Sequence, residues 1–155
     1  MTTGDLGWHL GIVLRGYQAR LEEALADMPC AIRGYQVLSA VVHREPPNQQ
    51  ALGAHLAIDR TVLTYLLDDM VAEGIVERVP AVEDRRARKI VATHKGREVL
   101  AHYEARVKTA ETDLLSTLSE SRAEMFESLL ANLAAGLLET DPTGDPCEAV
   151  AKVTL

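Results

Sequence analysis

Residues 82–96 read VEDRRARKIVATHKG: five cations around two acids, then a short β-branched run, then a threonine three positions ahead of a glycine. The chain as a whole has a formal charge of −7, so this concentration of positive charge needs a reason. Residues 1–77 hold 5 Lys/Arg against 10 Asp/Glu, residues 78–97 hold 7 against 2, and residues 98–155 hold 4 against 11. The balances of −5, +5 and −7 put one cationic block against two acidic ones, the mark of a surface that meets a polyanion. Arg88 to Ala92 suits a β-strand, and Ile75 to Val79 suits its partner. The loop between them, Pro80 to Ala87, is longer than the two to five residues usual in a hairpin, and a long loop loaded with Arg is more often a binding device than a connector.

Upstream of this hairpin the pattern is helical. Asp59 can cap a helix over about Arg60 to Glu73, and Gly74 ends it at the position that favours a left-handed residue. Val62, Leu63, Leu66, Leu67, Met70 and Val71 form one broad apolar face, leaving Arg60, Thr61, Thr64, Tyr65, Asp68 and Asp69 on the other. Before it, Asn48 stands at the N-cap of a short helix that buries Leu52 and Leu56. Short helix, tight turn, longer helix is helix-turn-helix spacing.

Two further helices precede this unit. Leu6, Leu10, Val13, Leu14, Tyr17, Leu21 and Leu25 fall at spacings of three and four, and Asp27 to Pro29 ends that helix; a second runs from about Ala31, with Ile32, Tyr35, Leu38 and Val42 on one side, until Glu45-Pro46-Pro47 stops it. After the hairpin, Thr93 caps a long helix in which Leu100, Tyr103, Val107, Ala110, Leu114 and Leu118 form a heptad-like seam. Ser121 with Glu124 has capping-box spacing for a last helix to about Leu138, whose apolar face is Phe126, Leu129, Leu130, Leu133 and Leu137. The tail from Thr140 is expected to lack regular structure, apart from a turn of helix after Pro146.

Composition narrows the function. Aromatics are only 4% of the chain, which favours helices packed through Leu and Ala over a sheet-rich core. The N-terminus has no cationic segment ahead of its apolar residues, and no apolar run approaches the roughly 20 residues that span a bilayer, so no membrane association and a cytoplasmic location are expected. Cys30 and Cys147 are far apart and form no zinc spacing or disulfide framework. The five histidines are scattered, with no paired carboxylates and no Gly-rich phosphate loop. Neither an enzyme, a metal site nor a cofactor is expected.

The order of elements, helix-turn-helix then basic hairpin between long terminal helices, resembles the MarR (multiple-antibiotic-resistance regulator) family. The residues that carry the resemblance are Asn48 to Leu56, Ile58-Asp59-Arg60-Thr61-Val62 through Glu73-Gly74-Ile75-Val76-Glu77-Arg78, and above all Asp84-Arg85-Arg86 followed by Ile90 and Thr93-His94-Lys95-Gly96. That last group is similar to the family's D-R-R … L-T-x-x-G wing signature, with Ala92 in place of its Leu. The resemblance implies a mainly α fold with a small β-hairpin wing, a winged helix-turn-helix flanked by N- and C-terminal dimerisation helices. The division expected is 31–96 for the DNA-binding module, 1–30 and 97–139 for the dimerisation region, and 140–155 for the tail.

On this reading the partners are double-stranded DNA and a second copy of the chain. Arg86 at the tip of the ribbon suits insertion into the minor groove, with Asp84 expected to orient its guanidinium, while Arg85, Arg88 and Lys89 suit phosphates. Arg60, Thr61, Thr64 and Tyr65 occupy the part of a helix that faces base edges in the major groove, and Asn48 and Gln49 suit a phosphate. The resemblance also implies a small-molecule effector, phenolic in class, near Trp8, His9, Ile12, Arg33 and Tyr35. The function expected is a homodimeric repressor on a palindromic operator. The alternatives are a winged-helix protein-interaction scaffold that binds no operator, and a regulator that senses oxidation through cysteine.

Overall fold

The helix starts are set by short polar side chains, as their sequence positions require. In the computed structural model, which describes residues 4–140, Asp5 accepts from the Gly7 amide to open α1 (Leu6–Ala24), and Asn48 accepts from Ala51 at 2.9 Å to open α3 (Gln49–His55). Asp59 accepts from Thr61 and Val62 to open α4 (Arg60–Ala72). Thr93 accepts from Gly96 at 3.0 Å to open α5 (His94–Leu114). Between these lie α2 (Ala31–His43) and the hairpin of β1 (Val76–Pro80) with β2 (Arg88–Ala92), and α6 (Glu120–Thr140) comes last. The hairpin is antiparallel, with Val76 opposite Ala92 and Pro80 opposite Arg88. Each such cap satisfies amide groups that the helix leaves without a partner.

One apolar core joins α2, α3, α4, the hairpin and the first half of α5. Leu25, which follows α1, joins Leu38, Leu52, Leu63, Leu67, Met70, Ile75 and Leu100 among its most deeply buried members. The end of α4 is a Schellman motif. Gly74 takes φ +70°, its amide donates to Val71, and the Ile75 amide donates to Met70, whose side chain packs with that of Ile75 in the core. The exposed carbonyls that remain at this end are taken by the next helix: Thr93 Oγ1 donates to the Gly74 carbonyl at 2.7 Å and Lys95 Nζ to that of Glu73 at 2.6 Å.

Several expectations need correction. The buried face of α4 is narrower than the apolar pattern suggests, because Leu63, Leu67 and Met70 define it and leave Val62 and Val71 exposed. The seam on α5 does not run as one outward stripe: Leu100, Tyr103 and Val107 are buried in the chain's own core, and Leu118 lies beyond the helix, which ends at Leu114. Ser121 does not cap α6, since that helix starts at Glu120 and the Ser119 carbonyl accepts from Arg122 and Ala123. The turn of helix placed after Pro146, like the rest of 141–155, lies outside the described residues.

α5 is tied to the N-terminal elements by polar side chains. Arg20 on α1 meets Asp113 at 2.8 Å, and His43 at the end of α2 meets Glu104 at 2.6 Å. Arg106 meets Asp27 at 2.6 Å while its guanidinium lies over the Tyr103 ring. The hydrogen bond from Arg106 holds the Asp27 carboxyl below the usual carboxylate range. These pairs are largely exposed and fix orientation more than they stabilise.

Gly96 is where α5 meets the turn after α4. A Cβ there would lie 1.9 Å from the Ile75 carbonyl oxygen, so backbone must move to admit one. Gly96→Ala is therefore expected to lower stability by about 1–3 kcal/mol in urea unfolding, the cost of overpacking a fixed contact. An unchanged midpoint would show that this approach is not rigid.

Candidate nucleic-acid interface

The wing is a turn built on Asp84. Its Oδ1 accepts from the Arg86 backbone amide at 2.9 Å, its carbonyl accepts from Ala87, and Ala81 donates across the base of the loop to Ala87. This differs from the expected role, in which Asp84 oriented the Arg86 guanidinium: the carboxylate shapes the backbone and leaves that side chain free. Arg85, Arg86 and Arg88 are exposed and Lys89 half-buried. Among the described residues none of these four has an ion-pair partner, whereas Arg20, Arg78, Arg106 and Lys108 all do. Ala81 is buried beneath the loop, anchoring its start.

Across a crevice of about 1170 Å³ from the wing lie the starts of α3 and α4. Asn48, Gln49, Arg60 and Thr64 line one wall, and Arg86, Arg88 and Lys89 the other. Thr61 and Tyr65 are also exposed on α4. The crevice thus brings Arg86, Arg88 and Lys89 of the wing together with Asn48, Gln49, Arg60 and Thr64, whereas Arg85, Thr61 and Tyr65 are exposed but do not line it. Thr64 is only half-exposed and its hydroxyl is occupied: it donates to the Arg60 carbonyl at 2.8 Å and accepts from Gln49 Nε2 at 3.3 Å. Gln49 and Thr64 therefore lock α3 to α4. Asn48 is likewise engaged as the α3 cap.

Sequence reasoning missed two contributors. Arg78 on β1 reaches the outer face of α4, pairing with Asp68 at 2.7 Å and donating to the Thr64 carbonyl at 3.4 Å. It joins hairpin and helix from the solvent side, and the only signal was a cation at an outward strand position opposite an acid on the helix. The other is Val62, 57% exposed in the first turn of α4. It lies roughly 100° from Leu63 around the helix, so a stripe centred on Leu63, Leu67 and Met70 would have excluded it.

None of the five residues named for an effector site lines the wing crevice. Trp8, His9 and Ile12 are exposed on the N-terminal half of α1, Arg33 is exposed near the start of α2, and Tyr35 is half-buried. A separate apolar groove of about 730 Å³ lies between α1, α5 and α6, lined by Leu10, Val13, Leu114, Phe126 and Leu130 among others. Burial and the nearby Glu104 push the Tyr35 hydroxyl above its usual range. Cys30 is half-buried, and burial together with Asp69 and Glu73 pushes its thiol up. Among the described residues no cluster of His, Cys, Asp or Glu could hold a metal ion, and no helix is long and apolar enough to cross a membrane.

With this geometry in hand, comparison with known proteins is informative. The sequence profile of the MarR family matches residues 34–87, from the first turn of α2 to the end of the wing loop. Residues 34–87 are thus similar in sequence to the MarR family. The chain as a whole has the fold of solved MarR proteins. The reduced form of MarR from E. coli shares 25% identity over 83% of this chain and 96% of its own, with a TM-score of 0.69. A further MarR crystal structure, 21% identical, covers 93% of this chain and 99% of its own at a TM-score of 0.75. A Mycobacterium tuberculosis MarR family protein in complex with DNA is 20% identical, with 83% and 97% covered and a TM-score of 0.70. MarR proteins are transcription regulators and not enzymes.

The Asp84 turn makes a local prediction. Asp84→Ala should speed hydrogen exchange at the Arg86 amide while changing global stability by no more than about 0.5 kcal/mol, as for an exposed site. Unchanged exchange would mean that the carboxylate does not hold the wing.

Proposed function

We propose that the chain is a DNA-binding transcription regulator acting as a homodimer, with residues 31–96 on the duplex and residues 1–30 and 97–139 joining the copies. The observation that carries this is the set of uncompensated wing cations facing the first turn of α4 across one crevice. A protein-interaction scaffold has no need of free guanidinium groups placed beside a helix of groove-entering size. The relative solved with DNA supports the same reading. Arg86 enters the minor groove, Arg85, Arg88 and Lys89 neutralise phosphates, and Arg60, Thr61 and Tyr65 face the major groove. Asn48, Gln49 and Thr64, already bonded within the protein, hold α3 and α4 in register and reach the duplex through their remaining polar atoms.

The dimer is supported by apolar surface that one chain does not cover. Leu6, Leu10 and Val13 on α1 and Met125, Leu129, Leu133 and Leu137 on α6 are exposed, and large apolar side chains repeated along two helices mark a surface that a partner covers. A twofold pair presents two α4 helices to a palindrome, and the protein represses by occupying it. In this cytoplasmic regulator a small phenolic effector alters the spacing of the two modules. Trp8, His9, Ile12, Arg33 and Tyr35 line neither the wing crevice nor the α1–α5–α6 groove, and an effector site built from them draws on the second copy. Oxidation sensing through Cys30 is disfavoured, because a thiol pushed up is a poor thiolate.

The test is binding of duplex selected from random sequence, measured against salt. Wild type should give a linear log–log plot, and Arg86→Ala should bind at least tenfold more weakly with a slope smaller by about 1 and an unchanged melting temperature. Absence of salt-dependent duplex binding by the wild type would refute the reading.

A further inference from the structure

α4 carries an apolar patch that the core does not use. Val62 is 57% exposed and Tyr65 is 68% exposed, both on the arc of the helix away from Leu63, Leu67 and Met70. Val62 is fixed in the first turn, where its amide donates to the Asp59 cap. Among the described residues the Tyr65 hydroxyl has no hydrogen-bond partner. The neighbouring polar positions are committed elsewhere: Thr64 to Arg60 and Gln49, and Asp68 to Arg78. The exposed arc of α4 formed by these residues therefore presents an aliphatic side chain, an aromatic ring and the hydroxyl of Thr61, with the Asp69 carboxylate beside them and no cation.

We propose that Val62 and Tyr65 select thymine, packing against its C5-methyl group in the major groove. The proposal rests on the DNA-binding reading above. The occupant follows from charge and chemistry: the patch lies on the same helix as Arg60, which shares a crevice with the wing cations Arg86 and Arg88, and cations gathered beside a helix call for a polyanion. The thymine methyl is the one apolar group that DNA displays in the groove a helix can enter. Asp69, exposed beside the patch, discourages phosphate contact from the middle of the helix, so α4 contributes selectivity while the wing contributes affinity. Val62 is thus a specificity-determining residue.

The experiment starts from duplexes selected by the full-length protein, in which a thymine should recur at the same position of each half-site. Replacing that thymine by uracil removes only the methyl group and should weaken wild-type binding about three- to fivefold per half-site, as expected for uncovering one methyl. Val62→Ala should bind the thymine duplex more weakly and bring the thymine-to-uracil ratio close to one. Arg86→Ala should weaken binding to both duplexes equally and keep the wild-type ratio. A Val62→Ala protein that keeps the wild-type ratio, or wild type that is indifferent to uracil at every half-site thymine, overturns the inference and leaves DNA binding standing. No salt-dependent binding of any duplex overturns the DNA reading, and this inference with it.

Discussion

The close approach of Gly96 to the Ile75 carbonyl is the constraint on which the rest of the arrangement depends. At that point the last turn of α4, the first residue before the hairpin and the first turn of α5 share a space too small for a side chain. Thr93 and Lys95 complete the junction by donating to the Gly74 and Glu73 carbonyls, groups that a helix end otherwise leaves to water. The threonine and glycine near the end of the opening stretch of sequence thus act together. Thr93 both caps α5 and binds α4, and Gly96 gives the room that this double role requires.

From this junction follows a division of labour. Arg78 ties hairpin to α4 on the solvent side while Ile75, Val76 and Ile90 tie it on the core side, so wing and helix move as one body. α5 carries that body away toward α1 and α6, where apolar surface is left open and acidic residues predominate. A chain with charges separated in this way has a directional field: its acidic end is repelled by a polyanion that its wing attracts, which favours productive orientation during approach. In the proposed dimer a change at the α1–α5–α6 end alters the separation of two stiff reading bodies. α5 is one path for it, and its contacts through Arg20, Asp27 and His43 are exposed pairs that can rearrange at small cost.

Much of this was legible in the sequence because local rules and tertiary packing agree there. The caps at Asn48, Asp59 and Thr93, the C′ glycine at residue 74 and the strand over 88–92 each depend on a few neighbouring residues, and each stands where the pattern put it. What periodicity could not reveal is which apolar residues face inward. Val62 reads as core by type, yet the narrow stripe of Leu63, Leu67 and Met70 excludes it. Tyr103 and Val107 read as an intermolecular seam, yet the chain's own core takes them. Asp84 beside two arginines reads as an ion pair, yet the nearer donor is a backbone amide. In each case the competing partner lies on another element or in the backbone, where side-chain spacing carries no information.

The central claim is that the junction at Gly96 and Thr93 holds each α4 at a fixed offset from the helices that would join two copies in the proposed dimer. Double electron–electron resonance between spin labels at Asp69→Cys, in chains carrying Cys30→Ser and Cys147→Ser and bound to a selected duplex, measures that offset directly. The account predicts one narrow distance distribution near a helical turn of DNA, roughly 34 Å, broadened when Thr93 is replaced by alanine. A single label per particle, or a broad distribution that Thr93→Ala leaves unchanged, would contradict it.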